Sequence, residues 1–174
     1  MGVLDWTRIA QNGGTYYLGL LMECAELVQG ECTANTMDRA ASRGHLDVVA
    51  WLHANRTDGC TKTAMDLAAG NGHLDVVKWL HVNRTEGCTT FAMDEAASFG
   101  HLDTVKWLHV NRTEGCRKDA MDFAAGNGYF DVVKWLYVNR TEGCTPYARV
   151  LAASGGYLDV VAWLKEHPDA VRLH

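Results

Sequence analysis

The chain has 174 residues, of which 48% are apolar and 21% charged, and its formal net charge is −5 at pH 7. This length and composition fit one domain with a sizeable core, and the acidic balance argues against a nucleic acid as the main partner. The longest apolar stretch near the N-terminus, Tyr16 to Met22, is far shorter than the roughly 20 residues that cross a bilayer. We therefore expect neither nucleic-acid binding nor insertion into a membrane.

Residues 1 to 32 precede the periodic part of the chain and do not share its pattern. Ile9, Ala10 and the stretch Tyr16 to Val28 are nevertheless consistent with a degenerate repeat unit. The first ten residues lack the basic start and long apolar run of a secretion signal. We interpret residues 1 to 32 as an N-terminal capping region.

From residue 33 onward the sequence repeats every 28 residues, as in Thr61 to Cys88, TKTAMDLAAGNGHLDVVKWLHVNRTEGC. A fixed period of this size is typical of a solenoid, in which each unit buries its apolar face against the next. The pattern predicts repeat units at 33–60, 61–88, 89–116 and 117–144, followed by a C-terminal capping unit at 145–174.

Each unit carries start and stop signals for two helices. Thr61 is predicted to cap the first helix, because in the last unit Pro146 directly follows the equivalent Thr145, and proline is tolerated at the first helical position. Gly72 is predicted to end this helix, and a second helix is predicted from Leu74 to Asn83.

Apolar residues recur at helical spacing and define the predicted core. Met65, Ala68 and Ala69 share one face of the first helix, where small alanines allow a neighbouring helix to approach closely. Tryptophan recurs once in each second helix, and we expect it to lie in the core rather than to stack on bases or sugars. The residues concerned are Trp51, Trp79, Trp107, Trp135 and Trp163.

The string AA-x-x-GHLDVVKWL, as in Ala68 to Leu80, resembles the two-helix signature of the ankyrin family. Four full copies and one partial copy carry it. The resemblance implies an all-α solenoid of stacked helix–turn–helix repeats that binds proteins. The period of 28 is shorter than the 33 typical of that family, and Arg84 to Cys88 is too short for the β-hairpin that ankyrin proteins project there. Any binding surface is therefore expected on the concave face of the helices alone.

Positions that differ between the units are the candidates for function, because a position fixed by packing between identical units should repeat. The resemblance implies that the first helix lines the groove. Charged residues beside exposed apolar and aromatic ones are typical of a protein-binding surface, although unconstrained drift at exposed positions is the alternative. The predicted partner-binding residues are Arg39, Arg43, Leu67, Asn71, Phe91, Glu95, Phe99, Phe123, Asn127 and Leu151.

Two residue types recur at one position per unit, here called ladders, and could suggest a metal site or a catalytic site. We favour structural roles for both. The Gly-His histidines His45, His73 and His101 lie one per unit, too far apart to converge on one zinc ion, and the resemblance implies hydrogen bonds across the loops between units. Aspartate recurs likewise, and we expect it to bind the backbone or cap hydroxyl of the neighbouring unit. These aspartates are Asp38, Asp66, Asp94 and Asp122.

Cysteine also recurs once per unit, at Cys32, Cys60, Cys88, Cys116 and Cys144. Stacked helices lie about 8–10 Å apart, whereas a disulfide needs Cα atoms within roughly 7 Å. We therefore expect buried, reduced thiols and a cytoplasmic or nuclear protein.

The sequence contains no glycine-rich phosphate loop, serine nucleophile motif or Cys-x-x-Cys. We therefore predict a non-catalytic, monomeric scaffold that binds another protein, without a cofactor, a metal or any catalytic residue. Three alternatives stay open: a structural spacer, an engineered or duplicated scaffold without its own partner, and a metal-binding module. The last would use the Gly-His histidines together with a second histidine ladder, His53, His81 and His109.

Overall fold

The computed structural model of the chain describes residues 34 to 171, so the predictions made for residues 1 to 32 lie outside it. Within the described range the chain forms ten α-helices and one short 3-10 turn, without a β-strand. The helices are α1 (Ala34–Ser42), α2 (Leu46–Asn55), α3 (Lys62–Gly70), α4 (Leu74–Asn83), α5 (Phe91–Ser98), α6 (Leu102–Asn111), α7 (Lys118–Gly126), α8 (Phe130–Asn139), α9 (Tyr147–Ser154) and α10 (Leu158–Glu166).

The helices pair within a unit, and the units then stack. The first helices α1, α3, α5, α7 and α9 contact one another along their length, whereas the second helices approach each other at fewer points. Paired alanines such as Ala68 and Ala69, which are fully buried, allow the close approach of the first helices. The prediction of an all-α solenoid of helix–turn–helix repeats is confirmed.

Local signals in the sequence set the helix ends as predicted. The Thr61 side chain accepts a hydrogen bond from the Thr63 backbone N–H at 3.1 Å, which satisfies one of the free donors of α3. Thr145 does the same for α9, where Pro146 already has helical dihedral angles. The second helix of this unit runs from Leu74 to Asn83, as predicted.

The helix α3 ends at Gly70, and the turn that follows is made by Gly72. Its φ is +75°, in the left-handed region that side chains disfavour. A Cβ atom on Gly72 would lie 2.6 Å from Nδ1 of His101, the histidine of the next unit. The tight turn and the contact between units therefore both require glycine.

The aspartate ladder joins each unit to the next. The backbone N–H and Oγ1 of Thr61 donate to the two carboxylate oxygens of Asp38 at 2.8 and 2.6 Å. Asp66 and Asp122 accept the same pair of bonds from Thr89 and Thr145. The predicted structural role of the ladder is confirmed for these aspartates.

The third aspartate of the ladder, Asp94, binds arginine in place of threonine. Asp94 accepts bonds from the backbone N–H of Arg117 at 2.7 Å and from its Nε at 2.8 Å. The guanidinium thus supplies the second donor that the hydroxyl supplies elsewhere, and the junction keeps both bonds.

The core consists mainly of methionine, alanine, valine and leucine. The tryptophans, which were predicted to lie in the core, pack against it but are not fully buried. Met65, Met93 and Met121 are buried between the helices, whereas every described tryptophan is only partly buried. The Trp79 ring lies edge-on to His53 of the preceding unit, with centroids 5.3 Å apart. Because the second helices are set further apart than the first, the indole fills the gap between them and its outer edge stays in water.

The short connection between units is held by a cluster that replaces a hairpin. Arg84 forms an ion pair with Glu86, and its Nη1 lies 3.2 Å from Nδ1 of His53. The same arrangement recurs around Arg112 and Arg140. Each connection therefore returns the chain to the next first helix without a β-hairpin.

The cysteines Cys60, Cys88, Cys116 and Cys144 are free and buried, as predicted, while Cys32 lies outside the described residues. Burial raises the pKa of the Cys60 and Cys88 thiols to about 11 and that of the Cys116 and Cys144 thiols to about 12. These thiols stay protonated at neutral pH and act as small apolar side chains.

Candidate protein-binding face

The third, seventh and eleventh residues of each unit form one stripe of the first helix, here called the inner face. In the unit that begins at Thr61 they are Thr63, Leu67 and Asn71, at helical spacings of four. Adjacent stripes lie close together, because a Cβ atom on Gly70, the residue before Asn71, would lie only 2.9 Å from the Cβ of Glu95 in the stripe of the next unit. The inner face is therefore continuous across the units.

Asparagine side chains join neighbouring stripes along the row of eleventh residues. The Nδ2 of Asn71 donates to the Ser42 carbonyl at 3.0 Å, and that of Asn127 donates to the Ser98 carbonyl at 2.8 Å. Asn71 consequently lies beside Arg43, which follows Ser42 in the chain. This row reads Arg43, Asn71, Phe99 and Asn127 along the stack.

The structure places all ten predicted partner-binding residues on the inner face. Its aromatic members are well exposed, at 49% for Phe91, 52% for Phe99 and 46% for Phe123, and Leu67 is 41% exposed. Glu95 and Leu151 also lie on this face but are partly buried, because their side chains pack against Gly70 and Gly126, respectively, of the preceding unit. The exposed polar residues among these ten are Arg39, Arg43, Asn71 and Asn127.

Tyr147 also belongs to this face, although it is not among the predicted partner-binding residues. It is 56% exposed at the third position of its unit, where an earlier unit has Phe91. Comparing the last unit with the others at that position would have identified it. The aromatic surface therefore extends into the final described unit.

At the α1 end of the inner face, two arginines have no acidic partner in the part of the chain that the structure describes. Arg39 and Arg43 form no ion pair with any residue between 34 and 171. The inner-face carboxylates Glu95 and Asp119, in contrast, both help to raise the pKa of Arg117, after its stronger hydrogen bond with Asp94. Arg117 also lies over the Phe91 ring, 4.6 Å from its centroid.

Other kinds of chemistry find little support in the described part of the chain. No group of three or more His, Cys, Asp or Glu side chains between residues 34 and 171 is placed to hold a metal ion. His101 bonds to the Gly70 backbone of the preceding unit, and mainly because of burial its pKa is lowered. This contact is of the kind that the resemblance implied for the Gly-His histidines. None of the described helices is both long and apolar enough to span a bilayer.

The family comparison agrees with the geometry. The family model for ankyrin repeats (many copies) matches residues 37–81 and 93–136, which together make up just over half of the chain. A search of the curated proteins found no match. Proteins with ankyrin repeats generally bind other proteins and are typically non-catalytic. With its stacked two-helix units and this match, the chain belongs to the ankyrin-repeat family.

Proposed function

We propose that the chain is a non-catalytic scaffold that binds another protein through the inner face of its first helices. The observation that carries the proposal is the set of exposed aromatic rings on that face. The position of Phe99 is occupied by Arg43 in the first repeat unit, and the position of Phe123 is occupied by Leu67 in the second. Because these residues differ in chemistry, the packing that all units share requires neither ring. Large exposed aromatic side chains bounded by charged and polar residues are typical of binding hot spots.

The direct test is to capture partners from a lysate with the purified chain and with the double variant Phe99→Ser and Phe123→Ser. We expect the variant to lose the captured protein, because truncating a hot-spot residue typically costs 2 kcal/mol or more, roughly thirtyfold in affinity. Both rings are about half exposed, so the variant should keep the stability of the parent.

The chain offers a matched control on its other helices. Val82 and Val110 are 79% and 78% exposed on α4 and α6, so Val82→Ser with Val110→Ser removes exposed apolar groups away from the inner face. Capture should survive this control. Partners that respond to the valine changes and ignore the phenylalanine changes would show that the binding surface lies elsewhere.

The remaining proposals concern where and in what state the chain acts. We propose a monomer in the cytoplasm or nucleus, and the unpaired, buried cysteines of the stack support the reducing compartment. Fractionation of cells that express the tagged chain tests the compartment, and light scattering tests the monomer. A structural spacer is the second candidate, and it predicts that no partner responds to the phenylalanine changes.

A further inference from the structure

We propose that the inner face takes an extended peptide segment in which an acidic residue precedes or follows an apolar residue at a fixed spacing. This inference rests on the proposed function and names the chemistry of the partner. It is argued from two guanidinium groups and two amide oxygens that have no partner among the described residues, and from the exposed rings on the same face.

The acidic group is assigned by charge complementarity. Arg39, on α1, and Arg43, just after it, are exposed at the N-terminal end of the inner face. Neither pairs with a carboxylate among residues 34 to 171. Arginine offers five donors in a planar fork that matches a carboxylate. Because the chain as a whole has a net charge of −5, this attraction must come from contact at short range rather than from the field of the whole molecule.

The extended backbone is assigned by the asparagines. Asn71 and Asn127 each use Nδ2 to bind a carbonyl of the preceding unit, and this fixes the amide orientation. Their Oδ1 atoms bind no described residue and are left as acceptors on an exposed face. An extended peptide has unpaired backbone N–H groups that these oxygens can accept, whereas the N–H groups within a helix are already bonded.

The spacing follows from the stack. First helices packed about 8–10 Å apart place Phe99 about 16–20 Å from Arg43, two units along the row. An extended chain rises about 3.3 Å per residue, so the acidic and apolar residues should be five or six positions apart.

The test is selection from a displayed library of random 12-residue peptides against the full chain. We expect enriched peptides to carry Asp or Glu five or six positions from Leu, Phe, Trp or Met. Arg39→Glu with Arg43→Glu should weaken the best peptide on the order of tenfold, because reversal replaces an attraction by a repulsion. Replacing the acidic residue of that peptide by Lys should restore binding to the reversed variant.

The control variant Lys78→Glu with Lys106→Glu makes the same change in net charge on α4 and α6, and it should leave binding within about twofold. Failure to enrich any peptide, enrichment of peptides without an acidic residue, or an equal effect of the two charge reversals would overturn the inference. Peptides that lose binding with Phe99→Ser and Phe123→Ser but not with the arginine reversal would leave the proposed function standing. Peptides that ignore both changes would remove both proposals.

Discussion

At every described junction between units, one aspartate accepts two hydrogen bonds from the first residue of the next unit. In the Asp66 junction both bonds, from the backbone N–H and Oγ1 of Thr89, measure 2.8 Å. Burial raises the pKa of Asp66, although its bonds with Thr89 act in the opposite direction. A carboxylate of one unit thus binds the first residue of the next unit, next to the short connection that takes the place of the hairpin in longer ankyrin repeats.

We expect Asp66→Ala to destabilise the fold by about 2–3 kcal/mol, because it removes both bonds and leaves the N–H of Thr89 without a partner. Urea denaturation monitored by circular dichroism measures the change. Asp75→Ala is the matched control, since Asp75 is exposed in the first turn of α4 and should cost at most about 1 kcal/mol. Equal losses in the two variants would mean that the ladder does not join the units.

At the scale of the helices, the turn inside a unit and the gap between second helices are set by different contacts. The turn needs a left-handed glycine because a histidine or tyrosine ring of the next unit lies directly over it. The gap is filled by an indole ring that lies edge-on to an aromatic side chain of the preceding unit. Each contact therefore couples a local element to its neighbour.

Gly72→Ala tests the turn, and we expect it to cost about 3 kcal/mol. About 1–2 kcal/mol comes from backbone strain at φ +75°, and the rest comes from the contact with His101, whose ring is held by its bond to Gly70. Gly156→Ala is the matched control, because Gly156 has φ +79° but a Cβ atom added there would meet no other atom within 4 Å. Thermal melts that show equal losses would mean that the ring contact contributes nothing.

Trp135→Ala tests the gap between α6 and α8. The Trp135 ring is partly buried and lies 5.2 Å from the His109 ring, so we expect a loss of about 3 kcal/mol, near the lower limit for large aromatic truncations. Val138→Ala, on the same helix and 76% exposed, should change stability by less than about 0.5 kcal/mol. Chemical denaturation measures the loss of stability in both variants. A larger loss for Val138→Ala than for Trp135→Ala would mean that the buried and exposed sides of α8 have been assigned the wrong way round.

At the scale of the whole molecule, the buried thiols link stability to alkaline pH. Burial raises the pKa of Cys88 to about 11 and that of Cys116 to about 12, against an ordinary value of 9.0. Above pH 9 the unfolded chain releases these protons while the folded chain retains them. The stability that the thiols contribute is therefore fully present below pH 9 and is lost as the pH rises toward 11 and 12.

We expect this linkage to lower the free energy of unfolding at pH 10 by on the order of 1 kcal/mol for each buried thiol, relative to pH 8. Urea titrations at the two pH values, in the presence of a reductant, measure it. The variant with alanine at the four positions Cys60, Cys88, Cys116 and Cys144 retains the other titrating groups, so its loss between the two pH values should be smaller. The same loss in parent and variant would contradict the role of the thiols.

The sequence by itself determined the fold because each local rule recurs in every unit. The Thr61 cap, the turn at Gly72 after the first helix, the paired alanines and the second helix from Leu74 to Asn83 all depend on residues close in the chain. Repetition at a fixed period then required that the units stack, since one pair of helices cannot bury its own apolar face.

Only the tertiary structure decided how far each repeated residue is buried and which groups lack a partner. The half-buried tryptophans follow from the distance between second helices, which depends on the packing of all the units together. Among residues 34 to 171, the lack of an ion pair at Arg39 and Arg43, the free oxygens of Asn71 and Asn127, and the exposure of Tyr147 likewise depend on neighbours about 28 residues away in sequence. Hydrophobic periodicity records which side of a helix is apolar, but it does not record the distance to the helix that covers it.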